Sequence, residues 1–393
     1  MISLRLNETT EKLRQDFRAW LAANPAPRLP GKVELERFVG VSRDWVRKLA
    51  AERWLAVHWP ERYGGRGLSI VEEAIIQECL AEVGSPQLIN MFGVTMVGPV
   101  LIRHGTESQR ERFLSKILSA EEIWCQGFSE PEAGSDLASV RTRAERTDEE
   151  HWELTGQKVW TSFAQVADFC FVLARSNPLA ARYKDLSYFL LSMKEPGIEV
   201  RPLTQISGDR EFNEIFLTKA PVPVGNMVGN EGEGWKIAIS TLMYERVALT
   251  FARHLQSENA LSAIGDVLRT RFANPLERTQ YGRLLAKSMA VRALALNHLL
   301  GYGEPGAPSE RSPGPEGSLD KLGWSETFQE ICRFGLGLLG PDGVITAGSR
   351  ALREGMFQHE YLYSRGRTIA AGTSEVQRSI IAERILGLPR EGK

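Results

Sequence analysis

The chain reads Phe128-Ser-Glu-Pro-Glu-Ala-Gly-Ser-Asp136 at the point where its predicted structure changes from helices to strands. This stretch is too polar and too rich in glycine to be a core element. Gly134 lets a ligand approach the backbone closely, and Ser129 and Ser135 supply short hydroxyls with flanking N–H groups. A turn before a strand is the simpler explanation of such a composition. The sequence therefore predicts a turn or a loop that contacts a heteroatom-rich ligand.

The segments on either side of this stretch differ in periodicity. Three helical patterns precede it, at Thr9–Ala23, Val71–Val83 and Glu107–Ile117. Short stretches rich in Val, Phe, Tyr and Trp follow it and predict a small antiparallel sandwich or barrel: Val140–Thr147, His151–Trp160, Asp168–Arg175, Leu186–Leu191, Ile198–Leu203 and Phe212–Leu217. Helical spacing returns in the remainder, at Trp235–Val247, Leu285–Leu300, Ser318–Leu339 and Ser374–Leu386. A segment rich in Gly and Pro, residues 301–317, interrupts it and predicts an exposed loop.

This order of elements predicts an α+β chain of three domains. At 393 residues the length suits two or three domains, and it is ample for a buried core. The predicted boundaries are 1–122 for an N-terminal helical domain, 123–230 for a middle β-sandwich or barrel and 231–393 for a C-terminal four-helix bundle.

Composition excludes several classes of function. A net charge of −1 disfavours a generic nucleic-acid binder. The four cysteines form no CxxC pair and the six histidines no HxxxH, so we expect no metal site. No stretch approaches the roughly 18 apolar residues of a membrane span. The first 17 residues lack the apolar core of a secretory signal, so we expect a cytoplasmic protein without a membrane span.

Two further stretches combine polar and glycine residues. Thr155-Gly-Gln-Lys-Val-Trp-Thr-Ser162 places Trp160 two residues before Ser162, which suits an aromatic ligand whose edge accepts a hydrogen bond. Thr368-Ile-Ala-Ala-Gly-Thr-Ser-Glu-Val-Gln-Arg378 places Thr373 as an N-cap, with Glu375 in the first helical turn. A core tryptophan at a strand end and a plain capped helix are the simpler explanations of each stretch alone.

The three stretches together, in this order, resemble the acyl-CoA dehydrogenase flavoprotein family over nearly the whole chain. The resemblance implies that FAD lies between the β domain and the C-terminal helical domain. It also implies a family-like fold with the three domains predicted above. Each stretch alone is weak, but chance recurrence of all three with the right order and spacing is very unlikely.

The resemblance also implies which residues contact the cofactor: Phe128, Ser129, Gly134, Ser135, Trp160, Ser162, Arg278, Gln280, Tyr281, Gly340, Thr373 and Glu375. Trp160 would flank the isoalloxazine, and Ser162 would lie near flavin N5, where relatives more often have Thr. Arg278 looks like the arginine that reaches the FAD pyrophosphate of a neighbouring subunit, a role for which a forked guanidinium is suited. On the adenine side the sequence departs from the family, with Gly340-Pro-Asp-Gly where relatives often have Gly-Gly-Asn-Gly.

The base is the most informative departure. Many family members carry it immediately before Gly-Thr, where this chain has Ala371. A second branch, with isovaleryl- and long-chain-type members, carries it on an earlier helix, and the matching acid here is Glu245. The resemblance implies that Glu245 removes the α proton and that Arg246, Ala371, Gly372 and Ser135 contact the substrate. An ordinary surface pair is the alternative for Glu245 and Arg246.

The resemblance implies an acyl-CoA substrate, electron-transferring flavoprotein as the acceptor, and a homo-oligomer (dimer or tetramer) or hetero-oligomer. Two alternatives stay open. Relatives on this fold dehydrogenate acyl groups on acyl- or peptidyl-carrier proteins, or act as flavin oxidases. Ala371 also invites a non-catalytic subunit of a hetero-oligomeric dehydrogenase, a reading that Glu245 opposes.

Overall fold

The computed structural model describes residues 8–29, 33–270, 274–301 and 314–390, without the side chains of residues 245–252. Its helices, in chain order, are α1 (Glu8–Ala23), α2 (Leu35–Ala51), α3 (Ile70–Glu82), α4 (Gly98–His104), α5 (Glu107–Leu118), α6 (Gly234–Thr270), α7 (Pro275–Gly301), α8 (Gly317–Leu338), α9 (Met356–Arg367) and α10 (Ser374–Ile380). Much of the predicted Gly/Pro-rich loop, residues 302–313, lies outside the described residues.

The strands are β1 (Trp124–Gly127), β2 (Arg143–Arg146), β3 (His151–Ser162), β4 (Phe169–Arg175), β5 (Leu186–Ser192), β6 (Ile198–Pro202), β7 (Phe212–Pro223) and β8 (Met227–Val228). They form one sheet in the order β6-β7-β3-β2-β4-β5-β8. Strand β1 lies outside this order and pairs with β4 in parallel. The predicted α, β, α fold class is confirmed. Every predicted strand is present, whereas strands β1 and β8 and helices α2, α4 and α9 were not predicted. The prediction of a wholly antiparallel sheet was wrong, because β1 and β2 both pair with β4 in parallel.

Local chemistry explains where several helices begin. Ser69 accepts a hydrogen bond from the Val71 N–H, while Glu72 accepts one from the Ser69 N–H, which makes a capping box at α3. Thr106 and Gln109 form the same arrangement at α5. Both helices therefore begin within one residue of the positions that the sequence predicts.

The described residues group into two compact units. The sheet unit comprises Val33–Gly67 and Pro86–Glu245, and the helical unit comprises the described parts of Met1–Lys32, Leu68–Ser85 and Arg246–Lys393. Helices α1 and α3 thus pack with the C-terminal helices. The predicted domain boundaries at 122 and 230 stay a prediction.

Each unit has its own apolar core. The sheet unit has a core that includes Trp152, Leu154, Phe189, Leu191 and Val222, and its strands β4 and β5 are buried on both faces. The helical unit buries Leu261, Ile264, Leu284, Phe328 and Ile331. Among the described residues, every helix is too short or too polar to cross a bilayer. The four cysteines are buried and free.

Candidate active site

The first of the three stretches, Phe128–Asp136, forms the loop after β1, with its polar residues at the far end. Phe128 is buried and packs edge-on against Phe171 and Tyr188. Glu130 and Ala133 then exchange two backbone hydrogen bonds of 3.1 Å, which closes a tight turn. Gly134 and Ser135 follow at the exposed tip. The loop is therefore anchored in the core at one end and open to a ligand at the other.

A buried lysine ties this loop to the second stretch. The fully buried Lys158 donates from Nζ to the Phe128 carbonyl (3.2 Å), to Glu130 Oε1 (2.8 Å) and to the Leu173 carbonyl (2.7 Å). Glu130 also accepts two backbone N–H groups, from Arg141 and Thr142. Burial acts to raise the pKa of the Glu130 carboxyl, but Lys158 and these donors hold it below its usual value. Burial lowers the pKa of the Lys158 ammonium, and the three oxygens within hydrogen-bond distance of its Nζ compensate for the loss of water.

The second stretch carries an exposed indole. A register shift between Lys158 and Thr161 marks a bulge in β3, and Trp160 within it has φ +60°. Its side chain is 59% exposed, while that of Ser162 is half-buried two residues later. Bulges often aim side chains out of a sheet beside active sites. The backbone also joins the two stretches directly, because the Val159 N–H donates to the Ser129 carbonyl at 2.9 Å.

The predicted base lies on α6. The first turns of this helix are anchored within the sheet unit, with Ile237 and Ala238 buried and Thr241 donating to the Tyr188 hydroxyl at 3.4 Å. The backbone of Glu245 and Arg246 continues the helix. The side chains of both residues lie outside the described part of the chain, so their predicted roles stay predictions.

Four predicted cofactor residues of the helical unit lie outside the third stretch, Thr368–Arg378. Arg278 is exposed in the first turn of α7, and Gln280 is half-buried behind it. Tyr281 is half-buried and packs on the core of this unit. Gly340 follows α8 with φ +53°, a left-handed conformation that suits glycine.

The third stretch forms a left-handed turn before α10. Ala371 has φ +55° and Gly372 φ +92°, and Thr373 caps the helix by accepting the Val376 N–H at 3.2 Å. Glu375 is exposed, and its own backbone N–H and the Thr373 hydroxyl hold the pKa of its carboxyl below the usual value.

Two buried side chains for which the sequence predicted no role hold this turn. Lys321, on α8, donates from Nζ to the Gly372 carbonyl at 2.6 Å. Gln377, on α10, donates from Nε2 to the Ala371 carbonyl at 2.7 Å and to the Gly372 carbonyl at 3.2 Å. A lysine at a helix position facing the core is a signal that could have found the first of them.

Comparison with known proteins assigns the family. The models of the acyl-CoA dehydrogenase N-terminal, middle and C-terminal domains match residues 7–121, 125–220 and 232–386. The chain is 38% identical to acyl-CoA dehydrogenase IpdE1 of Mycobacterium tuberculosis over 98% of this chain and all of that one. It is 28% identical to the human mitochondrial short-chain specific acyl-CoA dehydrogenase, over 98% and 92% of the two.

Solved structures agree with this assignment. The Tcur3481–Tcur3483 steroid ACAD superposes with a TM-score of 0.85 at 27% identity, over 99% of this chain and all of that one. The ChsE4–ChsE5 complex from Mycobacterium tuberculosis gives 0.83 at 27% identity with the same coverage. This chain belongs to the acyl-CoA dehydrogenase family. It is an FAD-dependent oxidoreductase, as the resemblance implied.

The residues present fit a flavin. The bulge at Trp160 holds a broad aromatic ring outward, where a planar ligand can stack on it. Ser129, Ser135 and Ser162 place hydroxyls on the two joined stretches, which suits the heteroatom-rich edge of an isoalloxazine. When bound, FAD supplies the acceptor for the hydride that leaves the substrate.

Proposed function

We propose that this enzyme dehydrogenates an acyl-CoA with Glu245 as the base. The observation that carries this proposal is the replacement of the usual acid by Ala371, whose methyl side chain cannot take a proton. Position 245 also continues the i, i+4 series of Ile237 and Thr241, two residues buried within the sheet unit. The spacing places residue 245 in the same row along α6 as residues 237 and 241, which supports the choice of Glu245.

The proposed reaction breaks two C–H bonds. The α proton passes to the Glu245 carboxylate, bound FAD would accept the β hydride, and the electron pair of the broken Cα–H bond forms the Cα=Cβ double bond of 2-enoyl-CoA. The α proton is weakly acidic, so charge that develops on the thioester oxygen needs hydrogen-bond donors held in place beforehand. The backbone N–H groups of the Ala371–Gly372 turn are the proposed donors from this chain, and Arg246 would orient Glu245 or the substrate.

The cofactor contacts predicted above complete the proposal. On the sheet unit they are Phe128, Ser129, Gly134, Ser135, Trp160 and Ser162, and on the helical unit Arg278, Gln280, Tyr281, Gly340, Thr373 and Glu375. The exposure of Trp160 and Ser135 and the left-handed backbone of Gly340 support it.

Anaerobic titration of the flavin tests the activity. The purified holoprotein is expected to be yellow and to bleach on addition of at least one acyl-CoA from a panel of short, branched, long, aromatic and steroid-like thioesters. The steroid-like members are included because a steroid ACAD is a structural neighbour. Bleaching by the same acyl group on carrier protein but by no acyl-CoA would favour the carrier-protein alternative. Rapid reoxidation by oxygen would favour an oxidase.

We also propose that the chain works in an oligomer with a related subunit and passes electrons to an electron-transferring flavoprotein. Two structural neighbours at 27% identity are named as two-component assemblies. Expression alone is expected to give a protein with little flavin, and co-expression with the second subunit a stable yellow complex, as measured by size-exclusion chromatography with light scattering. A yellow, active homo-oligomer would contradict the hetero-oligomer. The cytoplasmic location stays a prediction.

A further inference from the structure

The turn at Ala371 and Gly372 has a left-handed backbone at both residues, and both residues are half-buried. Left-handed backbone is uncommon for a residue with a Cβ and persists where surrounding contacts impose it. A Cβ on Gly372 would lie 2.6 Å from Gln377 Nε2, so a larger residue would displace the donor that holds the turn. Two consecutive carbonyls of this turn are therefore fixed by side chains.

Both donors belong to nearly or fully buried side chains. Lys321 is 5% exposed and Gln377 is fully buried, so little water competes for the carbonyls that they bind. A hydrogen bond from an ammonium group is stronger than one from a neutral donor. The link also spans 51 residues of sequence, from α8 to the turn before α10. The hydrogen bond from Lys321 to Gly372 is therefore a tertiary contact and not a local helix cap.

The consequence concerns the N–H groups of the same peptides. The described residues contain no cis peptide bond, and in a trans peptide the C=O and N–H point in opposite directions. Since the carbonyls of Ala371 and Gly372 point towards Gln377 and Lys321, the N–H groups of Gly372 and Thr373 point away from them. The N–H of Ala371 belongs to the preceding peptide, and its direction relative to the Ala371 carbonyl depends on both φ and ψ of that residue.

We propose that Lys321 and Gln377 are positioning residues for the reaction. By holding the carbonyls of Ala371 and Gly372 they fix the two peptide planes that follow these residues, and with them the N–H of Gly372, one of the proposed donors to the thioester oxygen. The inference rests on the proposed function, in which this turn binds the thioester. It adds a reason why the turn works without an acidic side chain at position 371.

The variants Lys321→Met and Gln377→Met test this inference in the holoprotein. Each removes its donor at similar length. The rate of flavin reduction at saturating acyl-CoA, with the panel member that reduces the parent fastest, is expected to fall about 10- to 100-fold. The dissociation constant of acyl-CoA should change less than about threefold, since the effect belongs to the transition state. Lys287→Met, which removes a salt bridge to Glu330 elsewhere in the helical unit, is the matched control and should behave as the parent.

Proton exchange separates positioning from a purely structural role. With 3,3-dimethylbutyryl-CoA, whose β carbon carries no hydrogen, only α-hydrogen exchange with deuterated solvent can occur. In both variants the rate of α-hydrogen exchange with this compound should be lower than in the parent, as should the rate of flavin reduction with the reducing acyl-CoA. Parent-like reduction and exchange in either flavin-loaded variant would overturn the inference. If Lys321→Met does not retain flavin, Gln377→Met decides alone. Slow exchange here with parent-like exchange in Glu245→Gln would overturn the base and leave the positioning roles standing.

Discussion

Replacement of Glu245 by Gln is expected to lower the rate of flavin reduction by acyl-CoA about 10³-fold while the protein keeps its yellow colour. Gln has the same size as Glu, but its amide cannot accept the α proton. Cofactor binding should persist, because the predicted FAD contacts lie on other segments. Stopped-flow absorbance under anaerobic conditions, at saturating acyl-CoA, measures the rate.

The same helix offers a matched control. Asp266 lies near the far end of α6 and pairs with Arg269 and Arg353 at the surface. Asp266→Asn removes a carboxylate from α6 without touching the predicted site, so its rate of flavin reduction should equal that of the parent. If Glu245→Gln reduces its flavin as fast as this control, the base is assigned wrongly.

A second-site change sharpens the test. The double variant Glu245→Gln/Ala371→Glu places a carboxylate where many relatives carry the base. Partial recovery of flavin reduction is expected, since Ala371 already carries a Cβ on left-handed backbone (φ +55°) and a longer side chain adds little backbone strain there. Recovery would show that the two positions reach the same α proton. If flavin and acyl-CoA still bind but the rate does not recover, a carboxylate at position 371 does not reach the α carbon that Glu245 reaches.

Periodicity predicted most of the fold, and its failures have physical reasons. Helix α3 carries a capping box and an apolar pattern, so both its type and its start were predictable. Strand β1 has four residues and is buried almost throughout, so it shows no alternation to detect. Strand β8 has only two residues, and its pairing with β5 depends on the tertiary fold.

The site was predictable where it is local in sequence. The stretches that contain Ser129 and Trp160 were singled out from composition, and the structure joins them by a hydrogen bond. The contacts that hold them were not predictable. The acceptors of Lys158 lie 15 to 30 residues away along the chain, and Lys321 meets its carbonyl 51 residues away. A sequence motif shows which groups are present but not which distant side chains fix them.

Replacement of Arg292 by Met is expected to lower the free energy of unfolding by about 3–5 kcal/mol. Arg292, on α7, is buried and pairs with Glu78 of α3 and Glu258 of α6. Arg14 of α1 lies 3.5 Å from Glu78 and extends the network. Removal of the central cation leaves two carboxylates with little solvent and less compensating charge. Denaturant midpoints from circular dichroism, with flavin release followed by fluorescence, measure the change.

Lys287→Met is the control on the same helix, because Lys287 is more exposed and pairs with Glu330 at the surface. Such a pair contributes at most about 1 kcal/mol. The triple variant Arg292→Met/Glu78→Gln/Glu258→Gln should regain part of the lost stability, since neutral amides cost less to bury than unpaired charges. A loss for Arg292→Met as small as that of Lys287→Met would mean that water reaches this network. A loss that the triple variant does not reduce would attribute the effect to packing of the arginine stem instead of to its charge.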